Sequence, residues 1–209
     1  MKNNKFKIIL GTVLCLVPII FGLSVWDELP SQMPIHFGVN GEADGFASKP
    51  FAVMGIPVLM ALLNLLCHFG TKFEKRKENY SKELHSLIYF IVPVICILIY
   101  PITIFKALGK DVKIEVIIPV FVSVVLTIVG NYLPKCKQNS TMGIKIPWTL
   151  KSEENWNKTH HMAGYLWMIS GIIGLIASLL GAPVVCLPIF AVIVIVPTVY
   201  SYILHKKGI

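Results

Sequence analysis

Six long apolar stretches dominate the pattern of hydrophobic and polar positions along the chain. None contains Asp, Glu, Lys or Arg, and each is close to the roughly 20 residues that a helix needs to cross the hydrocarbon layer of a bilayer. The stretches are Ile8–Trp26, Phe51–Gly70, Ser86–Phe105, Val116–Leu133, Ala163–Gly181 and Pro183–Leu204. No segment alternates as a barrel strand does, and lipid offers the backbone no partner outside a helix. The pattern predicts an all-α integral membrane protein with six transmembrane helices.

The first stretch needs a separate argument, because Lys2, Lys5 and Lys7 precede it. Basic residues also precede the apolar core of a secretory signal peptide. However, the stretch is long for such a core, and Gly22-Leu23-Ser24 is a poor cleavage site. We therefore expect this segment to remain as the first transmembrane helix.

The composition favours a membrane protein over the soluble alternatives. Of the 209 residues, 55% are hydrophobic and 14% are charged, and the mean hydropathy is +0.72. About a quarter of the residues of a typical soluble domain are charged. The composition therefore excludes an ordinary cytosolic enzyme, a disordered protein and a conventional nucleic-acid-binding domain.

The net charge of +8 is divided unevenly between the two sides of the predicted membrane. Four basic residues lie in the first, third and fifth connections, which carry a net −2, and the other side carries +10. The fifteen basic residues of that other side are Lys2, Lys5, Lys7, Lys72, Lys75, Arg76, Lys77, Lys82, Lys135, Lys137, Lys145, Lys151, Lys158, Lys206 and Lys207. Since cytoplasmic connections are enriched in Lys and Arg, both termini are predicted to be cytoplasmic. The positive charge is then a topology signal, and we expect no direct binding of nucleic acid.

The predicted spans give little support to transport. They contain no formally charged residue, whereas ion-coupled transporters usually keep one within the membrane. Each proline inside a span removes a helix hydrogen bond, and the neighbouring helices must compensate for the kink. Seven prolines lie well inside the spans: Pro18, Pro57, Pro93, Pro101, Pro119, Pro188 and Pro197. Their kinks either shape the bundle or open a cavity, so a transporter or exporter of a peptide or an amphipathic compound is the alternative.

The first external connection, residues 27–50, is called the cap below. Asn40-Gly41 and Asp44-Gly45 are turn dipeptides, because Gly and Asn tolerate positive φ. These turns would close short extended segments around Ile35–Phe37. We therefore predict a compact cap rather than an irregular loop.

Metal binding by the cap has weak support from the sequence. His36, Glu42 and Asp44 are of types that suit zinc. Three unlike ligands on one short loop are weak evidence, and turn chemistry already explains Asp44. We expect neither a metal nor a cofactor.

The fourth connection, residues 134–162, is called the signature loop below. Gly143 and Pro147 favour an extended or turning first half. Ser152 is a suitable N-cap, and the two acidic residues after it then occupy the first helical turn, where the helix dipole favours negative charge. We therefore expect a helix that begins after Ser152 and continues into the fifth span.

The start of that helix would place Glu153, Trp156 and His160 on one face. Glu153 and His160 are two turns apart, about 10 Å along the axis, so they cannot pair directly as acid and base. The chain also lacks the His-Glu-x-x-His and Gly-x-Ser-x-Gly motifs. We predict recognition or structural coupling rather than catalysis. A membrane-embedded hydrolase that uses His160, His161 and Glu154 is the weaker alternative.

Two parts of the sequence resemble a known family. The signature of the SdpI family is resembled by Gly130-Asn131-Tyr132-Leu133-Pro134-Lys135, Gly143-Ile144-Lys145-Ile146-Pro147-Trp148-Thr149-Leu150, Glu153-Glu154-Asn155-Trp156 and Thr159-His160. The small N-terminal domain that accompanies this signature is resembled by Pro34-Ile35-His36-Phe37 with Gly41, Asp44 and Gly45. Together the two regions cover nearly the whole chain. Lys145 stands where the family usually has Arg, and His161 stands where a basic residue is expected; neither departure breaks the pattern.

The resemblance implies a multi-pass protein of the bacterial cell membrane that is not an enzyme. Such a protein gives the producing cell immunity against a secreted, membrane-acting peptide toxin. In the best-known member, the resemblance also implies signalling, because the toxin-engaged protein holds a cytoplasmic autorepressor at the membrane. The expected partners are therefore the toxin, the lipid bilayer and, where signalling occurs, a transcriptional repressor.

The candidate sites lie in the two named connections. We expect the cap to meet the toxin, through His36, Phe37, Gly41, Asp44 and Gly45. We expect the signature loop to transmit or detect the occupied state, through Gly143, Lys145, Pro147, Trp148, Thr149, Glu153, Glu154, Trp156, Thr159 and His160. The predicted organisation is one bundle, with an N-terminal two-helix unit at residues 1–70 and a four-helix unit at residues 71–209.

Overall fold

The computed structural model describes residues 2–72 and 82–209. Three basic residues that contribute to the predicted orientation, Lys75, Arg76 and Lys77, lie outside the described residues. Within the described residues the secondary structure is mainly helical. The helices are α1 (Lys2–Ser24), α2 (Ile56–Lys72), α3 (Lys82–Ala107), α4 (Ile114–Tyr132), α5 (Pro147–Lys151), α6 (Glu153–Leu179) and α7 (Cys186–Lys206).

Six of these helices are long and apolar enough to cross a membrane, which confirms the predicted spans. The exception is α5, which has five residues. The predicted extended or turning segment around Pro147 is thus partly helical. Proline is favourable in the first turn of a helix because the N–H that it lacks would have no partner there.

The described residues form two compact units. The first contains α1, the cap, α2 and most of α3, and the second contains most of α4 and all of α5, α6 and α7. Each unit has its own cluster of buried side chains.

The cap folds as an antiparallel β-hairpin of β1 (Gln32–Phe37) and β2 (Ala43–Ser48), which confirms the predicted compact cap. Asn40-Gly41 lies in the turn as predicted, whereas the prediction of a turn at Asp44-Gly45 was wrong, because both residues lie in β2, where Gly45 pairs with His36. Gly41 has a φ of +75°, which a glycine adopts without steric cost. The amide of Gly38 donates to the carbonyl of Glu42 at 2.8 Å and closes the turn. The inner side of the hairpin buries Met33 completely, in a cluster with Val53 and Ile104 of the same unit.

A π-helical turn, Phe51–Gly55, joins the cap to α2. Pro57 follows it and cannot supply the N–H that an α-helix would bring to the carbonyl of Val53. The hydroxyl of Tyr100 on α3 donates to this carbonyl at 2.9 Å. The side chain of another helix thus compensates for the proline, as the sequence required.

The same arrangement occurs in the second unit. Pro197 lies within α7 and lacks the N–H that would reach the carbonyl of Ile193. The indole Nε1–H of Trp167 on α6 donates to that carbonyl at 2.9 Å. Two of the seven membrane prolines therefore have an identified donor on a neighbouring helix, and at these two positions the kink is part of helix packing.

Small residues bring α4 and α6 close together. A Cβ placed on Gly130 would lie 2.8 Å from the carbonyl oxygen of Gly164, and one on Gly164 would lie 2.8 Å from the carbonyl oxygen of Gly130. A Cβ on Gly171 would lie 2.7 Å from the carbonyl oxygen of Ser123. Larger side chains would separate the two backbones, so these glycines fix the helix pair that carries the signature loop.

Candidate functional site

The signature loop folds around a buried tryptophan–histidine pair. Trp156 and His160 lie one turn apart on α6, and their rings stack with centroids 3.9 Å apart. Both side chains are almost completely buried. The indole Nε1–H of Trp156 donates to the carbonyl of Cys136 at 2.7 Å and so ties the first turn of α6 to the start of the loop.

The hydrogen bonds of His160 define its tautomer. Its Nε2 accepts from the backbone N–H of Ile144 at 2.9 Å, so this nitrogen carries no proton. The proton lies on Nδ1, which donates to the carbonyl of Trp156 at 2.8 Å. Both nitrogens of the neutral imidazole thus form hydrogen bonds with backbone groups. Protonation of Nε2 would place a second ring proton against the N–H of Ile144.

Gly143 is the point at which the loop crosses this pair. It has a φ of +117°, a conformation that L side chains rarely adopt. A Cβ at this position would also clash with Nε2 of His160 and would lie 2.8 Å from the ring of Trp156. The glycine is therefore needed for both its backbone conformation and the close approach.

Thr149 organises the short helix α5 and is fully buried. Its Oγ1 accepts from the N–H of Ile146 at 3.1 Å and lies 2.7 Å from the carbonyl oxygen of Ile144, to which it can donate. The side-chain amide of Gln138 donates to the carbonyl of Thr149 at 2.7 Å. The loop is thus held by side chain–backbone hydrogen bonds in place of a regular ladder.

Asn139 holds the tight turn before Gly143. Its Oδ1 accepts from the N–H groups of Thr141 and Met142, at 2.9 and 2.7 Å. Its Nδ2 donates to the sulfur of Cys136 at 3.4 Å. Burial raises the pKa of the Cys136 thiol, and this contact from Asn139 opposes part of the increase.

Asn155 connects α6 to the end of α7. It is fully buried, and its Nδ2 donates to the carbonyls of Ser201 at 3.0 Å and Ile209 at 3.2 Å. Its Oδ1 accepts from the hydroxyls of Ser201 at 2.6 Å and Thr159 at 3.1 Å. Every polar group of this side chain is paired, so the signature loop and the last turns of the chain form one hydrogen-bonded structure.

Trp148 packs on the same end of α7. Its indole stacks on His205, with ring centroids 5.9 Å apart, and meets the ring of Tyr202 edge-on at 5.5 Å. Its buried Nε1–H has no hydrogen-bond acceptor among the described residues. The last turn of α7 is therefore part of the surroundings of the candidate site.

The charged candidates lie outside this buried network. Glu153, Glu154 and Lys145 are exposed, as is the proline at position 147. Glu154 forms an ion pair with Lys158 at 2.7 Å, one turn along α6. The side chain of Glu153 is exposed on the first turn of α6, so the structure does not bring it together with the buried Trp156–His160 pair. The predicted N-cap is confirmed, because Ser152 accepts from the N–H of residue 155 at 3.1 Å.

The cap candidates are arranged around one exposed pair. Nδ1 of His36 lies 2.5 Å from a carboxylate oxygen of Asp44, and both side chains are more than half exposed. Gly45 faces His36 across the hairpin, where a Cβ would lie 2.8 Å from the Cβ of the histidine. Phe37 is half-buried and pairs with Ala43. The carboxylate of the third residue considered for a metal, at position 42, instead accepts from the side chain of residue 40 at 2.7 Å.

Several residues of the network were not predicted from the sequence as site residues: Cys136, Gln138, Asn139, Asn155 and Ser201. The clearest sequence signal for one of them was the spacing of Asn155 and Thr159, which puts two polar side chains four apart on a helix that faces apolar neighbours. The other four residues have no comparable sequence signal, and only the path of the backbone in the structure brings them into the network.

Comparisons with known proteins find matches in the regions of both connections. The family model described as "SdpI/YfhL protein family" matches residues 135–201, and a domain of unknown function, DUF1648, matches residues 13–61. The protein named Immunity protein SdpI from Bacillus subtilis (strain 168) is 29% identical over 213 aligned positions, covering 99% of this chain and 98% of the relative. No solved structure matches.

The two matched regions correspond to the two features built above. The first contains the Trp156–His160 network with α6 and most of α7, and the second contains the second half of α1 with the cap hairpin. Six apolar helices and a nearly full-length relative lead to the same conclusion. The chain is therefore similar to the SdpI/YfhL protein family in residues 135–201 and to the DUF1648 domain in residues 13–61, and it is a multi-pass protein of the cell membrane.

Proposed function

We propose that this chain is a membrane immunity protein that protects its cell against a secreted, membrane-acting peptide toxin. The observation that carries the proposal is the similarity to an immunity protein over almost the entire length of both chains. The signature loop supports it, because Gly143, Thr149, Trp156 and His160 all take part in one buried structure.

In this proposal both termini and the signature loop lie in the cytoplasm and the cap lies outside. The support is the distribution of Lys and Arg, which places fifteen of nineteen on the side of the termini. A secreted toxin then reaches the cap first, and the signature loop is available to proteins inside the cell.

The cap supplies the surface for the toxin. Val39 and Phe46 are 73% and 58% exposed, and Ile35 is also exposed, on an element that the proposed topology places in water. Exposed apolar groups of this kind mark interaction surfaces. The His36–Asp44 pair beside them adds a fixed polar contact.

Protection is proposed to occur by binding and not by hydrolysis. Both nitrogens of His160 are engaged by backbone groups, which leaves no lone pair for a general base. His161 and Glu154, the other groups of the hydrolase alternative, are exposed, and Glu154 is paired with Lys158.

Signalling is a second part of the proposal. The exposed outer side of the signature loop carries Lys145, Lys151 and Glu153, which can contact a cytoplasmic repressor. The buried inner side joins this surface to α7 through Asn155. A change at α7 on toxin binding would then reach the exposed side through this hydrogen bond.

Survival of a toxin-sensitive bacterial strain tests the proposal. Cells that express the chain should survive higher toxin concentrations than cells with empty vector, at matched membrane levels. Phe46→Ala should reduce protection, while Ser48→Ala, on the same exposed side of β2, should not. Equal sensitivity with and without the chain, for every toxin of this class tried, would refute immunity; equal protection by both variants would refute the role of the cap.

A further inference from the structure

A groove with both polar and apolar lining lies where α6 changes from polar to apolar residues. It has a volume of about 430 Å³ and is lined by Pro134, Asn157, Lys158, His161, Met162 and Tyr200. None of these residues belongs to the buried Trp156–His160 network. The groove is therefore a separate surface feature of the second unit.

The charges around the groove favour an anionic ligand. The ammonium group of Lys158 is in an exposed ion pair with Glu154, which costs little to rearrange. Lys135 follows the lining residue Pro134 and is exposed, with its ammonium group 5.3 Å from the ring centroid of Tyr132. Among the residues that line the groove, Lys158 carries a formal positive charge and none is acidic.

An apolar stripe continues from the groove along α6. The ring of His161, which lines the groove, meets Tyr165 edge-on at 5.2 Å. Tyr165, Ile169 and Ile172 follow at helical spacing and are 45–54% exposed. The polar end and the apolar stripe follow each other in the same order as the headgroup and the acyl chain of a phospholipid.

We infer that this groove binds the phosphate headgroup of an anionic phospholipid, with an acyl chain along the stripe of α6. Lys158 and Lys135 supply positive charge, and the side chains of Asn157 and Tyr200 supply neutral hydrogen-bond donors. The polar-to-apolar change on α6 puts the groove at the level of the headgroups when the helix crosses a bilayer. The inference does not depend on the toxin proposal.

Lipid retention by the purified full-length chain tests this inference. The chain is reconstituted in nanodiscs containing phosphatidylglycerol and phosphatidylcholine, released into detergent, and its bound lipids are counted by native mass spectrometry. The wild-type chain should retain phosphatidylglycerol in preference. Lys158→Gln should lower that preference about fivefold, since one Lys near an anionic surface contributes about that factor.

Two control variants separate a specific site from general attraction. Lys151→Gln removes an exposed cation of α5 that does not line the groove and should leave the preference unchanged. Glu154→Gln removes the competing carboxylate and should maintain or increase the preference. All variants should keep the wild-type melting temperature in detergent.

The following results would overturn the inference. Equal loss in Lys158→Gln and Lys151→Gln would show non-specific attraction, and loss in Glu154→Gln would show that the ion pair, not the free ammonium, matters. Unchanged preference in Lys158→Gln would remove the site. Displacement of the lipid by glycerol 3-phosphate at equal concentration would show that the groove recognises free phosphate rather than a lipid.

Discussion

Removing one hydroxyl group from Tyr100 tests how this protein accommodates prolines inside its membrane helices. Tyr100→Phe keeps the ring and deletes the donor that reaches the carbonyl of Val53 at 2.9 Å. Both side chains are almost fully buried, and Pro57 supplies no N–H to that carbonyl. A buried carbonyl left without a donor costs about 1–3 kcal/mol, whereas hydrogen bonds between membrane helices average about 0.6 and reach about 1.7 kcal/mol. We therefore expect a loss of about 1–2 kcal/mol.

The assay is reversible unfolding of the purified chain in mixed micelles, with the free energy of unfolding obtained from titration with a denaturing detergent. Tyr165→Phe is the matched control, because Tyr165 is 52% exposed, and its effect should stay within about 0.5 kcal/mol. The result isolates the buried hydroxyl from the general effect of losing a phenol.

A double-mutant cycle tests the role of the proline itself. Pro57→Ala restores a backbone N–H that can reach the carbonyl of Val53. In that background Tyr100→Phe should cost less than half of its cost in the wild-type chain. An equal cost in both backgrounds, or no cost in either, would refute the claim that Tyr100 compensates for Pro57.

Three further substitutions or reactions test the buried structure. Gly143→Ala should reduce the free energy of unfolding by about 2 kcal/mol or more, because the new Cβ strains the backbone and clashes with the side chains of Trp156 and His160. Gly109→Ala is the control, at φ +72° in open space, and should cost only about 1 kcal/mol. Equal costs would show that the clash at residue 143 is absent. Trp167→Phe should cost about 1–3 kcal/mol in the same titration by leaving the carbonyl of Ile193 without its donor, and an unchanged value would contradict that role. Maleimide should label Cys136 slowly at neutral pH, because burial raises the pKa of its thiol and only the thiolate reacts. Labelling should be faster in Gly143→Ala. Rapid labelling of the native chain would contradict the buried position of Cys136.

The sequence predicts the membrane architecture well, for a simple physical reason. A span must be apolar along its whole length, so the signal is repeated at every position and local exceptions do not hide it. Hydrogen bonds between residues that are close in the sequence are predicted equally well. Ser152 caps the next turn, and the turn dipeptide Asn40-Gly41 closes a hairpin whose strands lie only a few residues away.

The sequence does not reveal contacts between distant residues. Pro57 indicates that a backbone carbonyl lacks its usual N–H donor. Nothing in the neighbouring sequence identifies Tyr100 as the replacement donor, because Tyr100 lies on another helix. Asn155 likewise bonds to Ser201 across two helices. Such pairs depend on how the helices pack, and helical spacing alone does not determine that packing.

For the same reason, only part of the candidate site could be predicted from the sequence. Trp156 and His160 are one turn apart, so their shared face follows from helical spacing. The hydrogen bond from the N–H of Ile144 to His160 depends on the path of the loop at Gly143. This bond occupies the lone pair that a general base would need. An imidazole that looks available in sequence is a structural element in the fold.

The most direct test of the central claim follows the fate of a labelled toxin mixed with the purified chain in lipid vesicles. The measured quantity is the amount of intact toxin that co-purifies with the protein, compared with vesicles that lack it. Immunity by binding predicts intact toxin held in proportion to the protein, with less held by Phe46→Ala. Toxin fragments, or no retention by a chain that protects cells, would contradict the account.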